Sequence, residues 1–176
     1  MNHSKAITEF QLTCQRYYIC YCLAAIGLEG HAEQLTKLAP DRTKTMFIGE
    51  GHPQDGKFHG SMNIGELLDS SRRHGAFADM IAQSFIVAMY TSWDELYRPA
   101  VAAEIGAGPK AVQSDLMGDL RLIRHCIVHK KSVISDEPEG IKELSWKLSP
   151  GKLVVSAAMF QDLIAQINHL AVRVVF

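Results

Sequence analysis

Nothing in the chain constrains its fold more than residues 116–134, LMGDLRLIRHCIVHKKSVI. Leu116, Leu120, Ile123 and Ile127 recur at the spacing of one helix face. Such a stripe must be buried against other elements, so the segment predicts a core-facing helix. It starts at Pro109 or at Ser114, a good N-cap residue. The same helix carries Arg124, His125 and His129 in the order R-H-x-x-x-H. Packing alone rarely calls for three such groups on an apolar helix.

The remaining chain reads as the scaffold for this helix. Its 176 residues suit one domain over 1–176 with a single core. With 47% hydrophobic and 21% charged residues it has the balance of a globular protein. A net charge of -1 excludes a global field that would gather nucleic acid, so an RNA partner would need a local patch or an oligomeric cleft. Cys14, Cys20, Cys22 and Cys126 form no C-x-x-C and read as reduced core residues. The start, MNHSKAITEF, has no basic stretch followed by an apolar core, so no signal peptide is expected. The longest apolar run, about Tyr17 to Leu28, is too short to span a membrane. The expectation is a cytoplasmic protein with no membrane partner.

In chain order, residues 4–38 read as one amphipathic helix with Ser4 as its cap, broken or bent near Gly27 and Gly30. Residues 41–60, with four glycines, Pro53, His52 and His59, read as a loop or a lid over a site. A short helix is expected over 63–73, and a long one over 75–104 interrupted at Pro99. Between the R-H-x-x-x-H helix and a closing helix over 159–175, LSWKL-SPG-KLVVS reads as a β-hairpin around a Pro-Gly turn. The fold class is therefore all-α with one small hairpin.

On a helix, His125 and His129 are i, i+4 neighbours. Arg124 lies about 140° from His129, so one helix does not focus both on one atom. Two such helices about a two-fold axis would. The groups suit RNA cleavage by its own 2′-hydroxyl. An imidazole can take the 2′-OH proton, and an imidazolium can protonate the departing 5′-oxygen. An arginine fork can hold the charged phosphoryl oxygens. The nucleophile is already tethered beside phosphorus, so neither metal nor cofactor is required. Arg121, Lys130 and Lys131 are candidates for holding the RNA backbone. Asp94 and Glu95 are candidate orienting acids for a cation on a neighbouring helix.

DLRLIRHCIVHKK in a late helix resembles the motif of the HEPN superfamily: Arg, a polar residue, three residues, then His. SFIVAMYTSWDELYR is similar to the long helix that precedes it in bacterial members. The resemblance covers roughly residues 75–135. It implies a helical bundle, a homodimer with a composite cleft, and metal-independent endoribonuclease activity with Arg124 and His129 as the catalytic pair and His125 at the polar position. It also implies a place in toxin–antitoxin, phage-defence or stress systems, with an antitoxin or regulatory protein as partner. One branch carries a tyrosine two residues after the last histidine, which its antitoxin modifies; Lys131 stands there.

Other readings compete. His125 and His129 have the spacing of a zinc pair, but Cys126 replaces the glutamate of H-E-x-x-H and no third ligand is evident. Arg124 could pair with Asp94 or Glu95 for structure alone. A HEPN-like dimer could bind nucleotide, RNA or a protein partner without cutting.

Overall fold

The computed structural model describes residues 4–51, 54, 56–135 and 140–175. His52 lies outside them. The chain is mostly helical and divides into two compact units. One is made by the described residues of Met1–Cys20 and Ile81–Phe176, the other by Tyr21–Met80.

Helix α1 runs over Lys5–Leu38 without a break. The Ser4 hydroxyl accepts the Ile7 N–H (3.1 Å) at its start. Gly27 and Gly30 do not interrupt it: neither adopts a positive φ, and a helical glycine costs only about 1 kcal/mol against alanine.

In the unit Tyr21–Met80, the stretch expected to be a loop forms an antiparallel ribbon, β1 (Thr45–Glu50) and β2 (Lys57–Asn63), with a bulge at Ile48/Gly49. A Cβ on Gly49 would lie 2.3 Å from the Lys57 carbonyl oxygen, so the ribbon needs glycine there. Asn63 then caps α2 (Ile64–Ser70), its side chain accepting from Gly65 and Glu66 N–H. Leu35, Ile64 and Leu68 form the core of this unit.

Helix α3 (Ala76–Ser92), which belongs to the other unit from Ile81 on, leads through a π-helical turn, Trp93–Tyr97, into α4 (Arg98–Glu104). The expected interruption at Pro99 takes this form. Proline has no N–H and its ring crowds the carbonyl four residues back. The wider turn, closed by Arg98 N–H to the Trp93 carbonyl, absorbs the mismatch without ending the helix. A 3-10 turn (Pro109–Ala111) and β3 (Val112–Gln113) lead to Ser114, which caps α5 (Asp115–His129). Leu116, Leu120 and Ile123 are fully buried with Phe10, Ile86, Met89 and Phe160.

The hairpin expected over 144–156 is not formed. Instead β4 (Val133–Ile134) pairs antiparallel with β5 (Gly151–Lys152). Leu144, Trp146, Leu153 and Val155 do alternate inward, as their pattern requires, but they are buried in the core rather than pairing as strands. The backbone N–H groups of 142–144 are held by Asp119, and that of Leu153 by the Ser132 carbonyl. The closing helix α6 is Ala157–Asn168, shorter than the pattern suggested. The chain then turns into β6 (Arg173–Val174), which pairs with β3. No helix among the described residues is long and apolar enough to cross a membrane.

Candidate functional site

With its apolar stripe buried, α5 must present its other face outward. Arg121, His125, Val128 and His129 are exposed on it, followed by Lys130 and Lys131. The His125 and His129 rings lie 4.9 Å apart, inclined at 41°. Neither makes a hydrogen bond or ion pair among the described residues.

Arg124 is half-buried. Its guanidinium carbon sits 5.8 Å from the centre of the Tyr90 ring, within cation–π range. Its Nε is shut from solvent with no hydrogen-bond partner. It forms no ion pair with Asp94 or Glu95. Asp94 instead pairs with Arg98 one turn on (2.9 Å), and Glu95 is exposed. The acids therefore do not orient the motif arginine. The i, i+4 spacing of Asp94 and Arg98 gives the carboxylate a nearer partner.

The helix stops sharply after the motif. Lys131 and Ser132 both take left-handed φ, 51° and 60°. Lys130 and Ser132 N–H both reach the Cys126 carbonyl (3.1 Å each). The Ser132 hydroxyl donates to Gln83 Oε1 (2.5 Å), and Gln83 Nε2 donates to the Leu153 carbonyl. These bonds hold an arrangement that side chains otherwise disfavour. Lys130 Nζ reaches Ser135 (3.5 Å), so of the two lysines Lys131 is the one whose side chain has no polar partner among the described residues.

Toward the start of α5 lies a cavity of about 330 Å³, lined among others by Tyr90, Arg98, Asp115, Arg121, Lys142 and Arg173. Asp115 accepts from both terminal nitrogens of Arg173 (2.5 and 2.8 Å) and from Lys142 Nζ (3.2 Å). These bonds, Arg173 first, hold its carboxyl well below the usual carboxylate range. Asp119, one turn further and buried, accepts the backbone N–H groups of Lys142, Glu143 and Leu144 (2.7–3.1 Å). It thereby fixes the segment that brings Lys142 to the cavity. Arg98 donates through Nε to the Pro109 carbonyl (2.8 Å) and through Nη1 to Asp94. Tyr90 lies beneath Arg124 and also lines the cavity. Burial pushes its phenol up, Asp94 adds to this, and Arg121, Arg98 and Arg124 oppose it.

Sequence reasoning missed Tyr90, Arg98, Asp115, Lys142 and Arg173. They come from separate stretches with no motif between them. The one local signal was Asp94–Arg98 at salt-bridge spacing, beginning about one turn after Tyr90. Among the described residues no three His, Cys, Asp or Glu side chains gather as a metal site would need.

No protein-family model matches the chain, and no curated protein or solved structure is significantly similar to it.

Proposed function

We propose that this chain is a metal-independent endoribonuclease with a HEPN-type helical bundle, acting as a homodimer. The observation that supports the reading is the state of the motif groups. His125 and His129 are adjacent, exposed and without polar partners, and Arg124 is free of any ion pair among the described residues. A buried polar atom in a group serving structure alone is usually satisfied, and Arg124 Nε is not.

In this reading His129 of one subunit takes the 2′-OH proton and the resulting oxygen attacks phosphorus. The bond to the 5′-oxygen breaks, and an imidazolium protonates that oxygen. Arg124 of the other subunit holds the phosphoryl oxygens. The products are a 2′,3′-cyclic phosphate and a 5′-hydroxyl. His125 flanks His129 as the second proton carrier. Arg121, Lys130 and Lys131 hold the neighbouring backbone. The cellular setting would be a toxin–antitoxin, defence or stress system, with a regulatory protein as partner.

The test is an RNA cleavage assay with end-group analysis in excess EDTA. Cyclic phosphate ends from the wild type, and none from His129→Ala or Arg124→Ala, are expected. Cleavage unchanged in either variant, or a strict divalent-metal requirement, overturns the mechanism. A second reading, a dimer that binds RNA, nucleotide or a protein without cutting, draws on the way Arg124 is held against Tyr90 rather than presented. It predicts RNA binding by the wild type with no product of any kind.

A further inference from the structure

We propose that the cavity beside Arg98, Arg121, Lys142 and Arg173 binds a phosphomonoester: the terminal phosphate of a nucleotide or of an RNA strand. The proposal goes beyond cleavage and does not depend on it.

Charge comes first. Four cationic side chains line the cavity, and the carboxylates paired with them are two, Asp94 and Asp115. The excess is two positive charges. A phosphomonoester carries about -1.5 to -2 near neutral pH, whereas an internal phosphodiester carries only one negative charge. The balance therefore favours a chain end over the middle of a strand.

Donor type and rigidity come next. Three of the four cations are arginines, whose planar forks match phosphate oxygens. Arg173 is held in a two-point bond to Asp115, and Lys142 is tied to the same carboxylate. Arg98 uses Nε and Nη1, leaving Nη2 without a hydrogen bond among the described residues. Arg121 makes neither hydrogen bond nor ion pair among them. A ligand would meet positioned donors and lose little side-chain freedom in binding them.

Stability does not account for the cluster. Exposed ion pairs contribute little, and like charges brought together repel. The start of α5 does not explain it either, because Ser114 already caps the helix and Asp115 occupies its first turn. A cavity of about 330 Å³ is at the small end of ligand sites and would accept a phosphate with part of its nucleoside.

The experiment measures binding to the full chain carrying His129→Ala, so that RNA stays intact. The probes are AMP against adenosine, and one short RNA bearing either a 5′-phosphate or a 5′-hydroxyl, at fixed low salt. At least one phosphorylated probe should bind about tenfold or more tighter than its unphosphorylated counterpart. A preference with AMP alone assigns the site to free nucleotides, and one with RNA assigns it to strand ends; both support the proposal. Arg121→Gln should erase the preference with an unchanged melting curve, since that side chain is exposed and holds nothing in place. Arg98→Gln should weaken it in the same direction. Equal binding of phosphorylated and unphosphorylated probes, or a preference that survives Arg121→Gln, overturns the proposal. Cleavage by the wild type is read separately from its cyclic phosphate ends, so either idea can fail alone.

Discussion

At the N-terminal half of α5, Asp115 and Asp119 together hold two side chains and three backbone N–H groups. At the C-terminal half, Arg124, His125 and His129 hold none among the described residues. Both halves belong to one helix with one buried stripe. The first half uses its polar groups to fasten other segments, and the second leaves them available. A buried polar atom is normally satisfied; in the second half the buried Arg124 Nε departs from that rule, while the two histidines are exposed.

The contrast can be broken by experiment. The largest effect is expected at the free half. His129→Ala should reduce RNA cleavage by roughly 10²–10⁴-fold. Its urea unfolding free energy should stay within about 0.5 kcal/mol of wild type, because the side chain is exposed. A parallel loss of stability would put His129 among the anchors. At the other half, Asp119→Ala should cost about 3 kcal/mol in the same unfolding measurement, since three buried or half-buried N–H donors lose their acceptor. A cost below about 1 kcal/mol would mean those donors readily find water.

A smaller change sharpens the picture at Gly118. A Cβ built there meets nothing within 4 Å, so Gly118→Ala should stabilise the helix by about 0.5–1 kcal/mol. Because Gly118 also lines the cavity, phosphate binding should weaken as stability rises. The smallest effect concerns Asp115. Its folded-state carboxyl titrates below the ordinary value, so its contribution is fully present above about pH 4 and disappears as pH falls through the depressed value. Wild type and Asp115→Asn should therefore differ in stability at pH 7 and converge in acid. A gap that persists at the lowest pH reached would assign the effect to shape rather than charge.

Much of this was legible in the sequence, and the reasons are local. The buried stripe of α5 and the cap at Ser114 are both written in consecutive residues, and the helix begins where they say. The ribbon over 45–63 was not legible, because strand residues exposed on both faces show no alternation. The segment 144–156 misled for a related reason. Its alternation is real, but alternation reports which side chains are inside, not which strand lies alongside. The motif residues are close in sequence and could be named. The cavity depends on Tyr90 and Arg98, about two turns apart on one helical stretch, meeting Asp115 and Arg173 across longer sequence separations, and no spacing rule connects these three stretches.

The π-helical turn at Trp93–Tyr97 has a consequence for how this stretch tolerates change. Deleting one residue there would restore ordinary α spacing and rotate everything beyond it by about 100°. Arg98 would swing away from Tyr90, and the ring of Pro99 would meet a backbone carbonyl. Replacing Pro99 alone would leave the extra residue in place. Length and proline are therefore linked in one direction: among related sequences, a chain that has lost the extra residue should have lost the proline too, and its arginine should no longer face the cavity.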